Sequence, residues 1–326
     1  MSRDSSPAIF RCPVCAAALP GWPPTLRCAS CGRTIPTDDG ILLFTDEPDL
    51  NLDGARAYIG YESVADGYAF RRHPPGLQER MSLAYGAAIA AIVGPHSILL
   101  DVGCGPAGYD VEAAKRGLRV VAGDISLNML KILSARLHEA PAASLIPCRL
   151  NAYALPLLGQ SVDAAAALEL LHFVGGPEHV LGEVKRVLKP GSRFITNGPS
   201  DHEAPDDDLN AKVNLYYREA LIQRGVQLSR PPGWTSAQIR DNLPKFFPNC
   251  RTVETESLVF RFCATPQWFL SRLASRYTMF QIGIDQAAHE EALREVRRRM
   301  VEQYGPNFEQ IEQQYCFTER LVVCTE

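Results

Sequence analysis

The sequence predicts an α/β protein built on a doubly wound, Rossmann-like sheet, preceded by a small cysteine-rich module and followed by a helical cap. Three observations support this prediction. Residues 97–110 look like a buried strand that enters closely spaced glycines and then a helix-forming stretch. A second apolar strand, residues 119–124, ends in an aspartate and leads into another helical pattern. Four of the ten cysteines fall between positions 12 and 31, ahead of both strands.

Length and composition set the first limits. The 326 residues fit one large α/β domain or two ordinary ones, and 46% are apolar. No apolar run approaches the roughly 18 residues that a membrane span needs, and residues 1–7 lack the features of an export signal. We therefore expect a soluble, cytoplasmic protein without membrane contact. The net charge of −4 gives none of the positive field that is typical of nucleic-acid binding.

The cysteine-rich module contains two C-x-x-C pairs separated by twelve residues. This spacing predicts a closed tetrahedral Zn²⁺ site with a structural role. A redox C-x-x-C is disfavoured because that motif normally comes singly in a βαβ unit. The six remaining cysteines are scattered, and we expect them to need neither metal nor disulfide. The four predicted ligands are Cys12, Cys15, Cys28 and Cys31.

Three regions follow from this organisation. Residues 1–46 form the predicted zinc ribbon, which ends in a short docking strand at 40–44. Residues 47–200 form the predicted Rossmann-like core, and an acidic, proline-containing linker separates the two. Residues 201–326 supply a cap and the closing strands of the sheet.

The glycine-rich loop fits G-x-G-x-x-G at Gly103, Gly105 and Gly108, with Asp124 at the distance expected of a ribose-binding acid. Taken alone, this match suits a nicotinamide site or an S-adenosylmethionine site. Asp101 separates the two, because a carboxylate beside the loop repels a pyrophosphate and attracts an ammonium group. The loop therefore favours S-adenosylmethionine.

Five stretches in order resemble the class I S-adenosylmethionine-dependent methyltransferases, and the resemblance covers roughly residues 58–198. It implies a seven-stranded sheet and a cofactor held along the carboxyl ends of its strands. The stretches are L-L-D-V-G-C-G (99–105), V-V-A-G-D-I-S (120–126), L-N-A-Y-A-L-P-L (150–157), S-V-D-A-A-A-A-L-E-L-L-H-F (161–173) and V-L-K-P-G-S-R-F-I (187–195).

The resemblance also implies a set of cofactor-binding residues. The loop glycines line the methionine part, Asp124 binds the ribose diol, and Asn151, where the family often has aspartate, edges the adenine together with Ala152. An upstream aromatic segment folds over the cofactor, although packing alone explains its tyrosines equally well. The full set is Asp101, Gly103, Gly105, Asp124, Ile125, Asn151, Ala152, Glu169 and Tyr61.

The candidate catalytic residues are His172 and Glu169, near the end of the fourth predicted strand. Histidine has an ordinary pKa suited to a general base, but a structural or cofactor-side role for His172 is favoured over catalysis. Around the loop we expect Asp110 to be an acid of the first helical turn that the helix dipole favours. Ser126 should be a helix N-cap.

Beyond residue 198 the pattern predicts helices at 211–224 and 286–304, a helix start at Thr235 or Ser236, and strands at 251–262 and 315–324. Aromatic side chains in this region could line an apolar acceptor pocket or belong to the ordinary core. They are Trp234, Trp268, Phe269, Tyr277 and Phe280.

The leading functional hypothesis is methyl transfer to a small organic acceptor. A zinc ribbon before this domain also resembles the bacterial ribosomal RNA guanine-N1 methyltransferases, which makes RNA a second candidate partner. The four basic and six acidic residues within 1–50 disfavour it. A non-catalytic zinc-ribbon adaptor is a third hypothesis, against which the loop glycines and Asp124 argue. A nicotinamide oxidoreductase is a fourth, disfavoured by Asp101.

Overall fold

The computed structural model describes residues 8–45, 73–74, 76–228, 232–276, 281 and 283–325. Its strands are β1 (Phe10–Arg11), β2 (Ala18–Leu19), β3 (Thr37–Asp38), β4 (Ile41–Leu43), β5 (Ile98–Val102), β6 (Arg119–Asp124), β7 (Leu145–Arg149), β8 (Val162–Ala167), β9 (Leu188–Asn197), β10 (Asp201–Glu203), β11 (Asn249–Val253), β12 (Val259–Ala264), β13 (Gln313–Thr318) and β14 (Leu321–Thr325). Its α-helices are α1 (Leu77–Val93), α2 (Gly108–Lys115), α3 (Leu127–Glu139), α4 (Pro177–Val187), α5 (Leu209–Gln223), α6 (Ser236–Phe246), α7 (Pro266–Ala274) and α8 (Gln286–Tyr304).

The central sheet has nine strands within the described residues, in the order β11-β14-β9-β8-β5-β6-β7-β4-β3. The strands from β9 to β4 are parallel, whereas β14 runs antiparallel to both of its neighbours. Chain order reverses at β5, which pairs with β6 on one side and β8 on the other. A doubly wound sheet places its ligand crevice at this switch point, outside the carboxyl ends of the strands.

Helices cover both faces of the sheet, as a buried parallel sheet requires. Alternate side chains of β5 enter two different apolar clusters because successive residues of a strand point to opposite faces. Leu99 packs in the cluster that contains residues of α1, α2 and α3. Leu100 packs in the cluster that contains residues of α4 and α6. The predicted doubly wound α/β fold is confirmed.

Capping residues and periodicity predicted several helix boundaries. Ser126 caps α3, with its hydroxyl accepting a hydrogen bond from the backbone N–H of Met129 at 3.1 Å. Thr235 caps α6, and Gln238 completes a capping box there. Helix α8 begins and ends where the periodicity predicts, at Gln286 and Tyr304. The expected N-caps are therefore confirmed.

The cap is a second layered unit with its own core. A three-stranded antiparallel sheet, β10-β13-β12, packs with α5, α7 and α8. Tyr217, Val296 and Met300 are fully buried in that core. The cap therefore has an apolar cluster distinct from the two that flank the central sheet.

Two predicted strands were wrong in extent. The stretch 251–262 forms β11 in the central sheet and β12 in the cap sheet, with a short 3₁₀ turn at Glu256–Leu258 between them. The stretch 315–324 likewise divides into β13 and β14. Each apolar run crosses from one sheet to the other, and the alternation of apolar residues carries no signal of that change.

One expectation about the scattered cysteines was also wrong. Cys250 and Cys324 form a disulfide. They lie directly opposite each other in the antiparallel pair β11 and β14, with Cα atoms 4.0 Å apart. A sequence separation of 74 residues gave no indication of this pairing, which only the register of the two strands creates.

Among the helices of the described residues, none combines the length and apolar character needed to cross a membrane.

The N-terminal module extends the central sheet beyond the seven strands that the resemblance implies. Its strand β4 pairs in parallel with β7, and β3 pairs with β4. Phe10 stacks on Phe44 with ring centroids 5.3 Å apart, and both rings are buried. The module thus covers an edge of the sheet that would otherwise leave backbone groups unpaired.

Candidate functional site

The glycine loop follows β5 at the switch point of the sheet. Gly103 has a φ of 77°, and a Cβ atom there would lie 2.7 Å from the side chain of Leu170. The backbone N–H groups of Gly103 and Cys104 both donate to the carbonyl of Gly123, at 2.7 and 3.0 Å. Position 103 therefore favours glycine for its left-handed backbone, and a larger residue there would also displace the Leu170 side chain.

Asp124 ties this loop to the end of β6. One carboxylate oxygen accepts from the backbone N–H of Gly105 and the other from that of Ser126, each at 2.8 Å. The side chain is half-buried at the carboxyl edge of the sheet. Ile125 follows it, and its carbonyl accepts a hydrogen bond from Arg149 at 3.1 Å. The acid expected to bind ribose thus also holds the glycine loop in position.

Asp101 and Asp110 lie in the interior, both with 0% exposure. Neither carboxylate has a hydrogen-bond partner of regular geometry within the described residues, although Tyr109 and Asp110 lie close enough to affect the titration of Asp101. Burial raises the pKa of Asp101 to about 7. Burial and the charge of Asp101 raise the pKa of Asp110 well above its ordinary value. Burial and the repulsion between the two charges therefore favour a state in which at least one of the two acids carries a proton.

This placement revises the expectations for both acids. Asp110 does lie in the first turn of α2, but it is buried against a second carboxyl, and the helix dipole alone does not describe its environment. Asp101 has no exposed surface beside the loop and lies behind it. The sequence did not predict this pair, because the nine-residue separation of the two acids becomes a contact only after the strand turns into the helix.

Asn151 and Ala152 follow β7, and both are half-buried. The side-chain oxygen of Asn151 accepts from the backbone N–H of Tyr153 at 2.9 Å, which forms a local Asx turn. The hydroxyl of Tyr153 donates to the carbonyl of Gly175 at 2.5 Å. The segment expected to edge the adenine is therefore held by its own turn and by the loop after β8.

Glu169 and His172 lie in that loop after β8. Glu169 has a φ of 57°, unusual for a residue with a side chain, and its N–H donates to the side chain of Asn197 at 2.5 Å. His172 Nδ1 lies 2.7 Å from the carbonyl oxygen of Trp234. Because a carbonyl only accepts, Nδ1 carries the proton, and neutral His172 keeps its lone pair on Nε2.

Two backbone hydrogen bonds also join the residues before α6 to the loop after β8. The N–H groups of Gly233 and Trp234 donate to the carbonyls of His172 and Leu171, at 3.0 and 2.9 Å. A Cβ on Gly233 would lie 2.2 Å from the Leu171 carbonyl oxygen, so the approach requires glycine. The sequence analysis named His172 as a candidate catalytic residue and Trp234 as a possible pocket residue, but it did not predict that they are in contact.

Three of the aromatic residues predicted for an acceptor pocket lie within the described residues, and they fall in two separate apolar clusters. Trp234 packs against the cluster that contains α4 and α6. Trp268 and Phe269 pack on each other in the core of the cap, with ring centroids 4.8 Å apart. Tyr61, Tyr277 and Phe280 lie outside the described residues. Trp234 and the pair of Trp268 and Phe269 therefore lie in different apolar clusters, and the acceptor pocket stays a prediction.

The four clustered cysteines come together at the N-terminal module. Their sulfur atoms all lie within 4.8 Å of one another. The Cys12–Cys31 and Cys15–Cys28 sulfur pairs are each 3.6 Å apart. Tetrahedral zinc with Zn–S bonds of about 2.3 Å places its sulfurs about 3.8 Å apart. The spacing of the thiols therefore fits one zinc ion.

The backbone repeats the same turn at both C-x-x-C pairs. The N–H of Ala16 donates to the carbonyl of Cys12 at 2.9 Å, and the N–H of Gly32 donates to that of Cys28 at 3.0 Å. The backbone N–H of Cys31 is the largest influence that lowers the pKa of the Cys28 thiol to about 7. The contact with the Cys15 thiol raises the pKa of Cys31 instead, so the four thiols influence one another's titration.

A doubly wound sheet with this strand order, with a glycine loop at its switch point and an acid closing that loop, defines a class of nucleotide-type cofactor-binding domain. Residues 100–196 match the family model described as "Methyltransferase domain". This part of the chain is therefore similar to a family of S-adenosylmethionine-dependent methyltransferases.

Named proteins resemble the chain more distantly. It is 27% identical over 186 residues to O-methyltransferase resE of Aspergillus sclerotiorum, a match that covers 55% of this chain and 70% of that protein. It is 34% identical over 174 residues to botryococcene C-methyltransferase of Botryococcus braunii, covering 49% and 45%. The structure of Haemonchus contortus phosphoethanolamine N-methyltransferase 2 with S-adenosyl-L-methionine is 19% identical, with a TM-score of 0.43, covering 85% and 58%.

Proposed function

We propose that the chain is an S-adenosylmethionine-dependent methyltransferase that acts on a small organic acceptor. The observation that carries the proposal is the glycine loop at the switch point, closed by hydrogen bonds from Gly105 and Ser126 to Asp124. In this proposal residues 1–46 carry a structural metal and residues 47–200 hold the cofactor. Residues 201–326 supply the acceptor cap and closing strands.

The chemistry of the loop favours this cofactor over a dinucleotide. The space beside Gly105 is open and leaves room for a ligand, and the Asp124 carboxylate can accept hydrogen bonds from ribose hydroxyls. Beneath the loop, the Asp101 and Asp110 carboxyls give a negative potential when ionised. That potential attracts the ammonium and sulfonium groups of S-adenosylmethionine and repels a pyrophosphate.

When bound, the cofactor supplies an electrophilic methyl group for an in-line displacement, so the protein's task is to align the acceptor and exclude water. We propose that His172 acts at the acceptor side. Its Nδ1–H is committed to the Trp234 carbonyl, which leaves Nε2 to accept a proton or a hydrogen bond from an acceptor hydroxyl or amine. Glu169, held in a left-handed conformation in the same loop, is the second candidate.

The relatives support a small acceptor. One is named as an O-methyltransferase and another as a botryococcene C-methyltransferase. These names differ in the atom that is methylated, so the proposal extends to the size class of the acceptor and leaves open whether carbon, nitrogen or oxygen receives the methyl group.

We also propose that Cys12, Cys15, Cys28 and Cys31 hold one structural zinc ion. Four thiolates fill a tetrahedral site and leave no open position for substrate. The metal would therefore stabilise the module and take no part in methyl transfer. The mutual distances of the four sulfur atoms support this assignment.

Ligand binding tests the cofactor proposal directly. S-adenosylhomocysteine should raise the melting temperature, whereas NAD(H) should not, because only a ligand of the native state stabilises it. Asp124→Ala should abolish the shift, while Asp241→Ala, at an exposed acid of α6, should retain it. Stabilisation by NAD(H) alone would overturn the cofactor assignment.

The acceptor class needs a separate measurement. Tritiated methyl from the cofactor should appear in the small-molecule fraction of an extract. The ribosomal RNA alternative remains a prediction, and labelling of unmodified ribosomal RNA would favour it over our proposal. Cofactor binding without any methyl transfer would favour the adaptor.

A further inference from the structure

Residues 150–158, which include Asn151 and Ala152, connect β7 to the region before β8. The N-terminal module contacts this segment at both of its ends. At the first end, β4 lies parallel to β7 with Leu43 opposite Arg149. The backbone N–H of Phe44 donates to the Arg149 carbonyl at 3.0 Å. The module therefore fixes the backbone immediately before the segment begins.

The second end is held by β1. The N–H of Arg11 donates to the carbonyl of Pro156 at 3.0 Å, and the N–H of Leu158 donates to the carbonyl of Ile9 at 2.8 Å. Phe10 lies opposite Leu157 in an antiparallel bridge. A strand of the module is thus hydrogen-bonded along the last residues of the segment.

The side chain of Arg11 adds a third attachment. Its guanidinium donates to the carbonyl of Leu155 at 3.2 Å and lies 3.9 Å from the carboxylate of Glu183. Glu183 in turn accepts from the backbone N–H of Leu155 at 2.8 Å. Arg11 therefore binds the Leu155 carbonyl, while α4 binds the N–H of Leu155 through Glu183 and the same carbonyl through Arg186.

The contact between the N-terminal module and residues 150–158 is apolar and buried from solvent. Phe10, Leu155 and Leu157 are fully buried, and Phe44 stacks on Phe10. These side chains belong to one apolar cluster with Cys12 and Cys28. Displacing the module would expose that apolar surface and free the hydrogen-bonding groups at both ends of the segment.

The four-cysteine site is continuous with these contacts. Cys12 follows Arg11 directly, and its backbone N–H donates to the carbonyl of Ala17 at 2.8 Å. Ala18 lies opposite Arg11 in β2. A metal ion that fixes the turn from Cys12 to Cys15 therefore also fixes the strand that binds residues 156–158.

We infer that the N-terminal module is a brace that positions residues 150–158 for the adenine end of the cofactor, so that metal occupancy and cofactor affinity are coupled. This inference rests on the proposed function. Coupling between two binding sites is reciprocal. Metal removal should weaken binding of S-adenosylhomocysteine, and bound S-adenosylhomocysteine should slow metal loss by the chain.

The first test compares the zinc-loaded full chain with the same chain after chelation. Hydrogen exchange should show faster exchange of the Leu158 amide, with little change in the buried strand β9. Isothermal titration should show a dissociation constant for S-adenosylhomocysteine raised about tenfold by chelation. A chromophoric chelator should withdraw zinc more slowly when S-adenosylhomocysteine is present. Unchanged exchange at the Leu158 amide after complete metal removal would contradict the inference that the module positions residues 150–158.

A variant separates the brace from general unfolding of the module. Arg11→Ala leaves all four cysteines in place and removes the contact to Leu155. It should keep about one zinc per chain and weaken S-adenosylhomocysteine binding about threefold. Arg27→Ala is the matched control, because Arg27 is an exposed arginine of the module with no bond to residues 150–158 in the described part of the chain. Equal affinities in the two variants would contradict a positioning role for Arg11.

The two proposals fail in different ways. If the wild-type chain binds no S-adenosylhomocysteine, the proposed function is wrong, and exchange at Leu158 after chelation still decides whether the module holds the segment. If S-adenosylhomocysteine binds with the same affinity with and without metal, the cofactor assignment stands and the coupling is wrong.

Discussion

The two edges of the central sheet are both held by cysteines, but by different chemistry and with different neighbours. At one edge, β3 and β4 belong to a module that contains four clustered thiols. At the other, a disulfide joins β11 to β14. The module at the first edge contacts residues 150–158 through β1. At the other edge, β11 is four strand spacings from β5, or about 19 Å. Loss of the first should affect the cofactor site, and loss of the second should affect stability alone.

The largest effect is expected at the metal edge. Cys12→Ser removes one of the four proposed zinc ligands, and a structural metal supplies much of the folding free energy of a small module. We expect zinc content to fall from about one per chain to near zero, with loss of structure in the module and several kcal/mol of stability. Elemental analysis and circular dichroism measure both. Cys263→Ser, at an exposed cysteine of β12, is the control and should change neither.

The disulfide edge should respond differently. Replacing Cys250 and Cys324 together by alanine should lower the free energy of unfolding by about 2–4 kcal/mol, because the unfolded chain loses a cross-link. Urea denaturation without reductant measures the change. Binding of S-adenosylhomocysteine to the folded variant should stay within twofold of the wild type. A large loss of affinity in this double variant would contradict the expectation that the disulfide edge affects stability alone.

Between the edges, the buried pair of acids should make stability depend on pH. Burial raises the folded-state pKa of Asp101 to about 7 and raises that of Asp110 as well. A raised folded pKa means that the folded chain binds more protons than the unfolded chain, so stability falls as pH rises from about 4 through 7. The penalty is complete above the folded pKa values.

Asp110→Asn tests that assignment. Removing one of the two acids should stabilise the chain by about 2 kcal/mol at pH 8 and flatten the pH dependence between 4 and 7. Denaturant titrations at several pH values measure both effects. Asp163→Asn, at a half-buried acid paired with Lys189, serves as the control and should not flatten the curve in the same way. An unchanged pH profile in Asp110→Asn would contradict a protonated acid in this pair.

The smallest effect is expected at the hydrogen bond between His172 and the Trp234 carbonyl. His172→Ala loses one hydrogen bond and should cost about 1 kcal/mol, with faster exchange at the Gly233 amide. His172→Asn keeps a donor near the position of Nδ1 and should restore the protection without restoring a base. Methyl transfer that survives in the asparagine variant would assign His172 a positioning role. Transfer lost in both variants, despite restored protection, would favour the general base.

Some features were predictable because they depend on residues close in sequence. The N-caps at Ser126 and Thr235 each need one side chain and the backbone three residues away. The knuckle turns need only the residues from Cys12 to Ala16 and from Cys28 to Gly32. Local chemistry of this kind is visible in the sequence itself.

Other features depend on pairing between distant strands. The apolar runs at 251–262 and 315–324 contain no local sign that each divides between two sheets. The Cys250–Cys324 bond exists because β11 and β14 pair in one particular register. The Asp101–Asp110 pair likewise needs the turn from β5 into α2. Periodicity describes which residues are buried but not against which partner.

The sequence by itself determined the doubly wound α/β class, the spacing of the four clustered cysteines and the requirement for glycine in the loop after β5. These are consequences of side-chain period, of short ligand spacings and of backbone freedom at single positions. The tertiary structure decided which elements meet: the module against residues 150–158, α6 against His172, and two acids in one buried site. Such contacts join residues that are far apart along the chain, and their burial and charge exist only once the chain has folded.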